Sequence, residues 1–174
     1  VFEGATFPAS AAYRAEITAH AREVGARLSA AGVIGRSAVD FLVVDGATYA
    51  VEINLRAGGT THPFNTLKFL TDGDYDEATG EFRTAQGQPR CYFATDALKR
   101  EVYKGILPFD LLDELVVQGI HFRADETGVV FHLLGCLSEF GKLGCTAIAP
   151  TVEEARARYA RVVKILDEIG GAGA

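Results

Sequence analysis

Apolar and polar positions alternate most cleanly between Ser37 and Leu55, where the chain reads SAVDFLVVDGATYAVEINL. Successive strand side chains point to opposite faces. Phe41 and Val43, then Tyr49, Val51, Ile53 and Leu55, therefore form one apolar face. The other parity carries Asp40, Leu42 and Val44, then Ala50, Glu52, Asn54 and Arg56. Asp45-Gly46 between the two runs is a hairpin turn signal. A two-residue turn would set Asp40 opposite Val51 and put Glu52 on the wrong face. A three-residue turn, Asp45-Gly46-Ala47, pairs Val44 with Thr48 and Asp40 with Glu52. A one-residue slip turns every side chain over, so the pattern predicts the longer turn.

The rest of the chain predicts an α+β fold. Ser10 is an N-cap for a helix whose apolar stripe is Tyr13, Ile17, Ala21, Val24, Leu28 and Ala31, stopped at Gly32. That stripe should lie on the Phe41/Ile53 face. Pro63 opens a short helix, PFNTLKFL. Thr71 to Gly80 reads as a solvated acidic loop, and Glu81–Thr84 with Arg90–Ala94 as a second hairpin. The stretch from Ala97 to Ile106 is ambiguous between a helix and a loop. A helix is predicted over Pro108–Gln118, with Gly119 as its stop. Strands are expected at Ile120–Arg123, Val129–Leu137 and Leu143–Ala149, the middle one apolar enough to be covered on both faces. His132 inside it reads as a satisfied core residue. Thr151-Val152-Glu153-Glu154 is a capping box. The helix it starts is striped by Val152, Ala155, Tyr159, Val162, Leu166 and Ile169, and Gly170–Ala174 reads as a loose tail. A soft boundary near 85–107 suggests two parts, residues 1–85 and 86–174.

Composition narrows the classes. With 174 residues, 48% hydrophobic and 23% charged, the chain is of ordinary globular make-up. A net charge of −6 argues against a nucleic-acid partner, which needs clustered Lys and Arg. No apolar run reaches the roughly 18 residues of a membrane span. Cys91, Cys136 and Cys145 lack CxxC spacing and read as free thiols, pointing to a reducing, cytoplasmic setting. The sequence contains no Met, which suggests a piece of a longer protein.

The chemistry lies on the polar face of the first hairpin. Opposed carboxylates repel by roughly 0.2–1 kcal/mol and call for a cation between them. Asp40 and Glu52 with the neutral oxygen of Asn54 suit Mg²⁺ shared with nucleotide phosphates, and Arg56 offers a fork for phosphate. Gly58 and Gly59 let backbone amides approach an anion, and Thr60 and Thr61 can donate hydroxyls to phosphate or carboxylate. His62 enters the same mouth.

Asp40, the spacing to Glu52, and Glu-Ile-Asn-Leu-Arg together resemble the metal-binding strand pair of the ATP-grasp superfamily. The longer runs VEINLRAGGTTHPFNTLKFLTDG, FATD and VVFHLLGCLSEFGKLG resemble the carboxylate–amine ligases of the pheganomycin peptide-ligase type. The resemblance runs from about Gly4 to Asp167. It implies the C-terminal half of such a ligase: a metal- and phosphate-binding subdomain over 1–85, an antiparallel sheet with helices packed on one face, and a small α+β extension over 86–174. It implies that Asp40, Glu52 and Asn54 hold Mg²⁺ (or Mn²⁺) bridging ATP phosphates. It also implies that Arg56 meets the transferred phosphate, that Leu42 lies near the nucleotide, that Gly58, Gly59, Thr60 and Thr61 serve the phosphates, and that His62 contacts substrate. The activity implied is ATP-dependent amide formation from a carboxylate and an amino-acid or peptide amine through an acyl phosphate. The partner implied is the N-terminal half of the same ligase, without which the chain should bind ATP weakly or not at all. Other ATP-grasp activities, a carboxylase or a glycine-adding ligase, fit the same residues. So does a non-catalytic domain that binds or dimerises through the sheet after residue 107.

Overall fold

A computed structural model describes residues 4–172, the side chain of Ala172 excepted. Residues 1–3, and the last two of the tail, lie outside the described residues. The elements are β1 (Ala5–Phe7), α1 (Ala11–Ala30), β2 (Ala38–Val44), β3 (Ala47–Asn54), α2 (Thr61–Leu70), β4 (Gly73–Asp76), β5 (Glu81–Thr84), β6 (Cys91–Lys99), α3 (Pro108–Val117), β7 (Gly128–His132), α4 (Leu137–Phe140), β8 (Lys142–Ala149) and α5 (Val152–Ala172). Short 3₁₀ turns occupy Glu101–Tyr103 and Leu134–Cys136.

One antiparallel sheet, ordered β1-β6-β8-β7, organises the molecule. Because strand side chains alternate, its central strand β8 serves two cores. Leu143, Cys145 and Ala147 point into a cluster built on Leu111 and Leu115 of α3 and Val162 and Leu166 of α5. Ile148 points the other way, joining Tyr92 and Ala94 to Leu67 of α2 and Phe82 of β5. The mixed α+β architecture is as the pattern implies, but helices cover both faces rather than one. The expected division after residue 85 crosses this sheet, since β1 pairs with β6 at Ala5–Ala94.

Local signals are mostly sound. Ser10 Oγ accepts from the Ala12 amide at 3.3 Å. Thr151 Oγ accepts from the Glu154 amide at 3.1 Å, fixing the start of α5. The stripe of α5 is buried as expected, with Ala155, Val162 and Leu166 fully enclosed.

Five expectations need correction here, the first being the strand at Ile120–Arg123, which is reduced to a single bridge from His121 to Val129. Thr71–Gly80 is not a bare loop: β4 pairs with β5, Tyr75 opposite Phe82. The turn is closed by Asp76, which accepts from the Ala78 amide at 2.8 Å and the Thr79 hydroxyl at 2.9 Å. Residues 91–99 leave the expected second hairpin and enter the main sheet as β6, absorbing part of the ambiguous stretch. The apolar run Val129–Leu137 stops being a strand at His132, because Leu133 adopts a left-handed φ of 57° and turns the chain into α4. The tail is helical as far as it is described. Its Gly170 carries no side chain because a Cβ there would overlap the Val102 carbonyl.

Candidate functional site

β2 and β3 form a separate two-stranded ribbon. Its turn is the two-residue kind: Val44 pairs with Ala47, and Asp45 and Gly46 have φ of 51° and 81°. Positive φ at both central positions gives the turn whose twist matches the strands. This corrects the three-residue turn. A regular ladder from that turn would set Asp40 against Val51, yet Asp40 pairs with Glu52. The difference is a bulge. Between the Phe41–Ala50 and Asp40–Glu52 pairs, β3 has one residue more than β2, Val51. Such an extra residue re-aims the side chains beyond it.

The bulge also reassigns faces. Directly opposed residues share a face, so Leu42 and Tyr49 stand together. They lie on the side of Asp40, Glu52 and Asn54, because Leu42 and Asp40 have the same parity on β2. Tyr49 therefore leaves the expected apolar face, and Ala50 joins it opposite Phe41. The acid face thus carries two carboxylates and an amide at one end and a Leu–Tyr shelf at the other, both shelf residues 56% exposed.

Asn54 donates from Nδ2 to Asp40 Oδ2 at 3.2 Å, drawing the amide onto the carboxylate. Neither Asp40 nor Glu52 forms an ion pair among the described residues. No cluster of three or more His, Cys, Asp or Glu side chains suited to a metal occurs among the described residues. The donor set is therefore two carboxylates and one amide, hard oxygens on an open face, which fits a partly hydrated Mg²⁺ carried in with phosphate and not a closed protein cage.

Beyond β3, Arg56 is exposed, with Nη1 donating to the Ala57 carbonyl at 3.2 Å. Gly58 is close to Ala38, the cross-strand partner of Asn54: a Cβ at 58 would lie 4.0 Å from that of Ala38. The Gly58 amide donates to Thr61 Oγ1 at 3.0 Å, and the Thr61 amide returns to the Gly58 carbonyl at 3.0 Å. Neither Gly58 nor Gly59 has a positive φ, so this segment is a tight turn into α2 with the Gly58 amide already engaged. Thr60 caps α2 through its backbone alone.

The helix α1 runs beside the ribbon: Thr48 Oγ1 donates to Glu16 Oε1 at 2.7 Å, and the His20 ring lies 6.4 Å from that of Phe41. It leaves much of the apolar face open, with Val43 40% and Ile53 49% exposed.

His62 lies in the first turn of α2 and meets a residue that the sequence places in the core. Its ring centre is 4.3 Å from that of His132, at the end of β7. The two histidines line an open pocket of about 260 Å³ with Gly58, Gly59, Pro63, Thr95 and Asp96. His132 titrates below its ordinary value of 6.5, first because it is partly buried and then because of His62 beside it; Asp96 opposes this. The one signal in the sequence for His132 is a polar residue within an apolar run. The signal for Asp96 is FATD, an acid interrupting a largely apolar run.

Comparison with known proteins adds family to geometry. Residues 110–162 match the family model described as the PGM1 C-terminal domain. Over 165 residues the chain is 35% identical to the L-propargylglycine–L-glutamate ligase of Streptantibioticus cattleyicolor, covering 94% of this chain and 34% of that enzyme. A solved carboxyaminoimidazole ribonucleotide synthase from Aspergillus clavatus, complexed with ATP, superposes with a TM-score of 0.49 and 14% identity, over 96% of this chain and 43% of its own. The acid-faced β-ribbon thus lies within a chain that is similar, over nearly all its length, to one stretch of an amide-forming ligase. Its particular likeness is to the peptide ligases of the pheganomycin type. The chain spans about a third of the length of the curated relative it matches.

Proposed function

We propose that the chain is the metal- and phosphate-handling part of an ATP- and Mg²⁺-dependent ligase that joins a carboxylate to an amine. The observation that carries this reading is Asp40 facing Glu52 across the ribbon with Asn54 hydrogen-bonded to Asp40. Asp40, Glu52 and Asn54 hold the metal, which would neutralise polyphosphate charge. Leu42, with Tyr49 beside it, gives the nucleotide an apolar flank. Arg56 binds the phosphoryl group as it passes from ATP to the substrate carboxylate, a transfer that depends on positioning and charge stabilisation. Gly59, Thr60 and the start of α2 orient the same group, and Gly58 shapes their turn. The acyl phosphate that results is attacked by the amine, the acyl–oxygen bond breaks, and phosphate leaves.

The exposed Val43 and Ile53 support a further segment of the same ligase covering the ribbon's apolar face. Residues 1–85 supply the metal strand pair, and 86–174 carry Asp96 and His132 to its edge. The thiols of Cys91, Cys136 and Cys145 are free, which favours a cytoplasmic setting. Among the described residues no helix is long and apolar enough to cross a membrane.

The test is Glu52→Ala in the full-length ligase, with ADP release and coupled product measured over a panel of carboxylate–amine pairs. L-propargylglycine with L-glutamate, the pair in the relative's name, comes first. Loss of ATP-dependent coupling is expected. Unchanged turnover would overturn the reading.

A further inference from the structure

The pocket beside α2 is built as deliberately as the acid ribbon. Its floor is a row across the main sheet. His132 of β7 pairs with Gly144 of β8. On the other side of β8, between the Thr95–Cys145 and Leu98–Leu143 pairs, β6 has two residues, Asp96 and Ala97, where β8 has one. This second bulge is held by Thr95 Oγ1 accepting from the Ala97 amide at 3.0 Å, and it turns Asp96 into the pocket. Gly144 is the blank between them: a Cβ there would overlap the His132 ring, so the imidazole lies flat over its cross-strand neighbour. His62 closes the row from above, and Gly58–Gly59 bring the pocket's rim to the start of β2, beside the acid ribbon. The left-handed Leu133, a conformation that costs a non-glycine residue energy, ends β7 directly after the histidine.

We propose that this pocket receives the acceptor amine, with Asp96 holding the ammonium form and the His132–His62 pair taking the proton as the nitrogen attacks. The inference rests on the ligase reading and deepens it. An amine arrives protonated, is drawn by a carboxylate, and must lose a proton to become a nucleophile. Asp96 supplies the charge, and an imidazole favoured in its neutral form supplies the acceptor, as burial and His62 favour it at His132. The titratable groups lining the pocket are His62 from α2, Asp96 from β6 and His132 from β7. In the step itself, the nitrogen lone pair forms the C–N bond to the acyl carbon. The acyl–phosphate C–O bond breaks with its electrons on phosphate. Nitrogen sheds two protons: the one whose loss exposes the lone pair passes to an imidazole of the pair, and the one released as the C–N bond forms leaves on the departing phosphate. A pocket of about 260 Å³ suits an amino-acid backbone or a peptide N-terminus.

The full-length ligase tests this with two amines. Hydroxylamine, small and neutral at pH 7, traps the acyl phosphate as a hydroxamate and reports the first half-reaction. A panel of free α-amino acids reports the second. His132→Gln should keep hydroxamate formation and lose amide formation by about 10²-fold in kcat. Asp96→Asn should raise the amine KM while sparing hydroxamate formation. Gly144→Ala, which displaces the ring without removing it, should reproduce the kcat loss in weaker form. Variants that make amide at the wild-type rate would overturn the proposal and leave the ligase reading standing. Variants that lose hydroxamate and amide together would also overturn it, since the residues would then serve phosphorylation or folding. A wild-type protein that makes no hydroxamate with any carboxylate would instead remove the ligase reading, and this inference with it.

Discussion

Asp40 faces Glu52 because Val51 is an extra residue, not because the turn is long. The acid pair and the tight turn are separate features of one ribbon, reconciled by a bulge between them. This separates two kinds of damage that substitution can do.

Damage to the turn should be energetic. Gly46 sits at φ 81°, a region in which a β-branched side chain is strained. Gly46→Val should destabilise the ribbon by about 1–2 kcal/mol. Hydrogen exchange of the β2 and β3 amides would show it, while the amides of β8 keep their protection.

Damage to the acids should be chemical. Asp40 and Glu52 are exposed on the ribbon and bear no fold-supporting ion pair among the described residues. Asp40→Asn should therefore leave the melting temperature unchanged and raise the Mg²⁺ concentration needed for half-maximal ATP turnover in the full-length enzyme. A metal titration of activity, set beside a thermal melt, checks both halves.

His132 makes stability depend on pH. Its folded value lies below the ordinary 6.5, chiefly through burial, so the unfolded chain takes up the proton at a higher pH than the folded one does. This contribution to stability is complete above pH 6.5 and is lost as pH falls through that value toward the folded one. Denaturant midpoints measured from pH 8 to 5 should fall, and His132→Gln should flatten the slope. Asp96, the carboxylate that opposes the shift, would steepen the slope if replaced by Asn.

Thiol chemistry should be selective. Burial raises the Cys91 thiol to about 11, and Cys145 is fully enclosed. Cys136 alone is part-exposed. Iodoacetamide at pH 8 should modify Cys136 in the folded protein and reach the other two only in denaturant, as peptide mass spectrometry would show.

The 174-residue chain by itself should bind ATP weakly. The nucleotide flank proposed for it is the open shelf of Leu42 and Tyr49, each more than half exposed. Calorimetric titration with Mg·ATP should show little heat, and the longer ligase should bind at least tenfold more tightly (about 1.4 kcal/mol).

Much of this is legible in the sequence, where local chemistry decides. Ser10, Thr151, Pro108 and Gly119 mark helix ends through groups a few residues away. The pattern sets Asp40 against Glu52 for the wrong reason: a bulge is a property of two strands and leaves no mark on one. The same cause hides Tyr49 on the acid face. Asp96 escapes notice because a second bulge, also invisible in a single strand, aims it. His132 reads as core because an apolar run conceals where it ends, and the left-handed Leu133 that ends it is not a residue type that announces a turn. Thr71–Gly80 reads as a loop because its acids outweigh its one tyrosine, although Asp76 spends its charge on closing the turn.

Because the extra residue is absorbed at Val51 and not at Asp45-Gly46, the ribbon's tip is mechanically insulated from its acids. Four paired rungs separate the turn from the bulge. The tip can therefore accept an inserted loop, a fluorophore or an affinity handle without moving the acid pair, which makes it the natural place to tether or report on this chain.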